Sequence, residues 1–117
     1  MRFPVQSPVE VLRSNYEVSF EEWIDQLAEA ESGNDPELKI LDTNRKYSYG
    51  CLQFQLSTFR QYSREYSLFK DSAVNLRKEI YNCESQRKLA ALMIRDDYEN
   101  WRHWRNTVKK IGKPPRI

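Results

Sequence analysis

Phe20, Ile24 and Leu27 recur at helical spacing, while Glu22, Asp25 and Glu29 fall on the other side of the same helix. The predicted start is Ser19, an N-cap with Glu22 three residues later, the spacing of a capping box. Val18 before the cap and Trp23 after it would form a hydrophobic staple. Gly33 stops the helix and Pro36 lies just beyond. Residues 1–18 contain two prolines and no clear period, and read as an N-terminal arm laid over the domain.

The pattern changes between Lys39 and Tyr49. Ile40-Leu41 is a short apolar pair, Asp42-Thr43-Asn44 has turn chemistry, and Lys46-Tyr47-Ser48-Tyr49 can be extended. An irregular loop or small hairpin is expected. The stretch Gly50 to Gln55 then leads to Ser57, a cap for a helix carrying Phe59, Tyr62 and Tyr66. Residues 68–81 read as a loop with a helical piece. From Glu84 the helical period returns with Leu89, Leu92, Met93 and Ile94, and Asp96-Asp97 interrupts it. A last helix carries Trp101, Trp104, Val108 and Ile111, and Gly112 with Pro114-Pro115 ends it. The pattern describes a mainly α domain, α+β through its small extended or hairpin insert, over residues 19–112, followed by a tail of residues 113–117.

Composition narrows the classes. The 117 residues make one domain, which buries roughly two-thirds of its unfolded surface. Nineteen basic against seventeen acidic residues give a charge of only +2. That is not the concentrated basic excess of a nucleic-acid binder, and Arg102, Arg105, Lys109, Lys110, Lys113 and Arg116 read as a solvated face and tail. No apolar run is long enough to span a membrane. The first residues lack the apolar core of a signal peptide, so either none was needed or an export segment has been removed. Cys51 and Cys83 lack metal-ligand spacing and His103 is the only histidine, which argues against a zinc site. The two cysteines read as buried thiols, with a disulfide the alternative outside the cytoplasm.

Glu31 breaks the pattern. It follows Phe20, Ile24 and Leu27 by eleven, seven and four residues, which places it within about 40° of all three at 100° per residue. A carboxyl against a core-facing stripe loses hydration, so its charged form is disfavoured and its pKa rises. A carboxyl that keeps its proton near neutrality can donate it to the leaving oxygen of a glycosidic bond. Ser32-Gly33 ends the helix at that point, and seventeen residues on lies the polar, glycine-containing Ser48-Tyr49-Gly50-Cys51-Leu52-Gln53.

Glu31-Ser32 followed by Ser48-x-Gly50-x-x-Gln53 resembles the lytic-transglycosylase and goose-type lysozyme branch of the lysozyme-like superfamily. Gln86-Arg87-Lys88-Leu89-Ala90, Met93-Ile94 and Trp101 add to the likeness, which runs from about Phe20 to Trp104. The resemblance implies a lysozyme-like fold and cleavage of the MurNAc-β-1,4-GlcNAc bond of peptidoglycan. Glu31 would act as acid and then base, with no metal and no cofactor. Ser48 and Gln53 would line the site, holding substrate or the Glu31 carboxyl, and Gly50 would let the backbone approach closely. Tyr49 and Gln55 are further candidates for sugar contacts, whereas Trp101 and Trp104 read as packing residues. The family's late Ala-Tyr-Asn segment has no counterpart; the matching region reads Ala90-Ala91-Leu92-Met93-Ile94, with Tyr98 or another tyrosine as the substitute, or a weaker activity as the consequence.

Asp42, with Asp35 next, is the candidate for a second carboxylate that activates water. Without one, the sugar's own 6-hydroxyl attacks and a 1,6-anhydro product forms. The partners expected are glycan strands, met by a monomer in the periplasm, outside the cell or as part of a phage lysin. A non-catalytic glycan-binding or structural domain, and a chitin-directed glycosidase, are the alternatives.

Overall fold

The computed structural model describes residues 8–71 and 73–116, with side chains from Ser19 onward. Helix α1 spans Pro8–Ser32. Ser19 is therefore not a helix start but an interior residue, and the capping box and staple expected there do not form a terminus. Proline is tolerated in the first helical turn, and no glycine or further proline interrupts residues 9–32, so nothing stops the helix from running through Ser19. The expected arm is helical from Pro8; residues 1–7 lie outside the described residues, as does the side chain of Val18.

The amphipathic reading of α1 holds. Phe20, Trp23, Ile24, Leu27 and Ala28 are buried, and Glu22, Asp25 and Glu29 are exposed. Gly33 and Asn34 end the helix with φ of 64° and 60°. Their N–H groups donate to the carbonyls of Glu29 and Ala28, so the last turn is capped by backbone.

Three short strands follow: β1 (Lys39–Leu41), β2 (Tyr47–Tyr49) and β3 (Phe54–Gln55). They form an antiparallel sheet in that order, with Ile40 opposite Ser48 and Ser48 opposite Gln55. The predicted turn closes β1 onto β2 through the Asp42 N–H to the Lys46 carbonyl at 2.9 Å and the Arg45 N–H to the Asp42 carbonyl at 3.0 Å. Strand β3 lies in the stretch that the pattern predicts as a lead-in to the next helix.

Helix α2 (Leu56–Glu65) begins one residue before Ser57, with Gln55 at the cap position. Helix α3 is the short Leu76–Glu79. Helix α4 (Cys83–Asp96) is capped by Asn82, whose side chain accepts from the Ser85 N–H. The Asp96-Asp97 break is real: Asp97 caps a 3-10 helix, Tyr98–Trp104, which passes directly into α5 (Arg105–Ile111). The predicted last helix is thus two pieces with different pitch. The core joins the buried stripe of α1 to Leu89, Ala90, Met93 and Ile94 of α4, and to Phe54, Phe59, Trp104 and Val108. The tail is not loose, because Tyr98 donates its hydroxyl to the Pro114 carbonyl at 2.5 Å.

The molecule is mainly α with one small antiparallel sheet. Among the described residues no helix is long and apolar enough to cross a membrane. Cys51 and Cys83 are joined in a disulfide with Cα atoms 5.4 Å apart. This corrects the expectation of two free thiols: chain separation hides the pairing, and the fold brings the turn after β2 onto the start of α4.

Candidate functional site

The end of α1, the β1–β2 hairpin, β3, and the 3-10 helix with α5 enclose a groove of about 880 Å³. Glu31 lies in it, half-buried. Burial is the largest influence on its carboxyl and raises the pKa above the ordinary value; the Thr107 hydrogen bond lowers it, Asp42 raises it, and Lys110 lowers it. The hydrogen bond is donated by the Thr107 hydroxyl to Oε1 at 2.7 Å.

Across the groove, Asp42 sits in the hairpin turn. Its Oδ2 accepts from the Ser48 hydroxyl and from the Gln55 amide, the latter at 2.8 Å. Gln55 in turn accepts from Asn44 at 3.1 Å. Strand pairing explains the cluster, since Ser48 and Gln55 are register partners and project to the same face of the sheet. Two carboxyl groups thus share one groove in different settings, one dehydrated against the core and one held by two donors. Asp35 is elsewhere, its Oδ1 accepting from the Glu37 N–H at 2.9 Å in a local turn.

The fold brings Glu31, Asp42, Ser48, Gln53 and Gln55 to the groove, but Tyr49 and Gly50 do not line it. Tyr49 packs edge-on against Tyr81 with ring centroids 5.5 Å apart. Gly50 has φ of 73°, and a Cβ there would lie 2.8 Å from the Gln86 amide nitrogen. Its close approach is therefore to Gln86 rather than to a ligand. Ser48 and Gln53 do not hold Glu31 either. Ser48 serves Asp42, and the Gln53 amide donates to the carbonyls of Gly50 and Leu38 at 2.9 and 3.2 Å. Gln53 takes a left-handed backbone conformation, with φ of 54°.

The two sequence motifs are nevertheless physically joined. The Ser32 hydroxyl donates to the Cys51 carbonyl at 2.7 Å, tying the end of α1 to the turn after β2. Gln86, fully buried, accepts from the Leu52 N–H and donates to the carbonyls of Tyr49 and Ile80, at 2.7, 2.7 and 2.6 Å. Trp104 donates its indole N–H to the Leu52 carbonyl at 2.9 Å and packs edge-on against Phe54.

Sequence reasoning missed the opposite wall. Thr107, Arg102, His103 and Asn106 all line the groove. The His103 ring meets Tyr62 and Trp104 edge-on, and the loss of hydration lowers its pKa below that of free imidazole. Only their proximity to the Trp104–Val108 stripe could have flagged them. Tyr98, the proposed substitute tyrosine, is engaged with Pro114 and does not line the groove. Among the described residues no group of three His, Cys, Asp or Glu side chains could hold a metal ion. No protein-family model, curated protein or solved structure matches the chain.

Proposed function

We propose that this chain is a lysozyme-like glycosidase that cleaves the MurNAc-β-1,4-GlcNAc bond of peptidoglycan, with Glu31 as its acid. The observation that carries the reading is the setting of Glu31: a half-buried carboxyl of raised pKa at the edge of an open groove. The groove is within the few-hundred to ~1,000 Å³ range of small-ligand sites. Its hairpin wall sets the polar Asp42, Asn44 and Gln55, suited to sugar hydroxyls, beside the exposed apolar Ile40 and Leu41.

Glu31 gives its proton to the glycosidic oxygen as the C1–O bond breaks, and GlcNAc leaves with a free 4-hydroxyl. In the transglycosylase route the muramyl 6-hydroxyl then attacks C1 and returns a proton to Glu31, so a single carboxyl suffices. Asp42 favours a second route. Its carboxylate shares the groove and is oriented by Ser48 and Gln55, as a base activating water would be. The disulfide fits work in an oxidising place, outside the cell or in the periplasm.

The test is clearing of purified cell walls. Wild type is expected to clear them and Glu31→Gln to lose roughly 10²–10⁴-fold in rate. Equal clearing by both would remove Glu31 from the mechanism; binding without clearing by either would leave a glycan-binding domain. Cleavage of chitin oligomers in preference to cell walls would redirect the substrate. Mass spectrometry of the fragments separates the routes, anhydro ends from intramolecular attack and reducing ends from water.

A further inference from the structure

Helix α5 carries a hydroxyl into the groove, where it meets Glu31. Thr107 and Glu31 are 76 residues apart in sequence, and their side chains meet at 2.7 Å. The contact is braced at both ends of α5. Trp104, one turn earlier, is anchored to the Leu52 carbonyl at 2.9 Å, and Val108, the next residue, is buried. Past the far end, the Trp23 indole of α1 donates to the Gly112 carbonyl at 2.9 Å. The two helices bearing the donor and the acceptor are thus stitched together, and threonine is stiff about χ1. Among the described residues Oε2 of Glu31 accepts no hydrogen bond, while Oε1 is engaged.

We propose that Thr107 is the positioning residue for the Glu31 acid, its hydroxyl holding Oε1 so that the transferable proton resides on Oε2. This rests on the glycosidase reading for its catalytic consequence, but not for its structural one. An oxygen already accepting from a hydroxyl is the poorer place for the acid's own proton, so the acid form carries it on Oε2. In the charged form the same hydrogen bond stabilises the carboxylate and opposes the effect of burial. The other charged groups facing Glu31 are Asp42 from the hairpin and Lys110 from α5. Glu99, Arg102, His103 and Arg105 border the same groove.

The experiment follows the Glu31 carboxyl by carbon NMR in protein labelled at glutamate, its signal assigned by loss in Glu31→Gln. Thr107→Val removes the hydroxyl and keeps the β-branched shape; Thr107→Ala removes it with a better helix former; Thr107→Ser keeps it. Val and Ala are expected to raise the pKa of Glu31, and Ser to restore it towards wild type. In wall clearing, the alkaline limb of the pH profile should move up with the NMR titration, and the plateau rate should fall roughly tenfold in Val and Ala through lost orientation. A Glu31 titration unchanged in Val and Ala, or one that Ser fails to restore, overturns the proposal. Should wild type clear no walls, the glycosidase reading falls, while the titration still decides the role of Thr107.

Discussion

Glu31 is kept at the groove at a cost to stability. Its folded pKa is raised, so the native state binds a proton more readily than the unfolded chain does. Stability from this site is then fully present below the ordinary carboxyl range and is lost as pH rises through the raised native value. Glu31→Gln is neutral at every pH and can still accept the Thr107 hydrogen bond. Thermal melts should therefore show the variant more stable than wild type near pH ~8, with the difference closing towards pH ~4. A difference that stays constant across that interval would mean that the carboxyl is not destabilised by burial. The raised pKa was readable from the α1 stripe because periodicity fixes the face a residue occupies. Thr107 was not, because only folding brings residues 76 positions apart within 2.7 Å.

The turn after β2 owes its shape to a side chain on another element. Gln86 of α4 satisfies the Leu52 N–H and two carbonyls, those of Tyr49 and Ile80, with no exposure to water. Gln86→Leu leaves all three without that partner, two of them buried and the Tyr49 carbonyl partly so, and each buried group so left costs about 1–3 kcal/mol. Urea unfolding should show a loss of about 3 kcal/mol or more. Arg87→Ala, its neighbour, removes an ion pair with Asp25 that is 34% and 64% exposed and should cost at most about 1 kcal/mol. Comparable losses in the two variants would deny Gln86 its role as a clamp. At this scale the helices were legible where a single apolar stripe repeats, as in α4. The starts were less so: Ser19 has the chemistry of a cap, yet the chain before it is also helical. Strand β3 is two residues long and has no period to read.

Across the whole molecule, the Cys51–Cys83 bond closes a loop spanning 32 positions between the hairpin region and α4. On the chain-entropy account a loop of that length is worth about 3–4 kcal/mol, chiefly by restricting the unfolded chain. Reduction, or replacement of both cysteines by alanine, should lower the urea midpoint by a corresponding amount, with helical circular dichroism retained at low urea. An unchanged midpoint would show that the bond adds nothing to stability. The same closure ties the turn after β2 to α4, and the Ser32 hydroxyl ties that turn to the end of α1 through the Cys51 carbonyl.

The sequence by itself determined the mainly α character, the turn at Asp42-Thr43-Asn44, and the carboxyl on the core-facing stripe of α1, since these follow from local period and local hydrogen-bonding chemistry. The tertiary structure alone decided that Thr107 holds Glu31, that Ser48 and Gln55 hold Asp42, that Gly50 makes room for Gln86, and that the cysteines are joined. Each of these is a meeting of groups distant along the chain or across a register, and no periodicity encodes which surfaces will face each other once the core has closed.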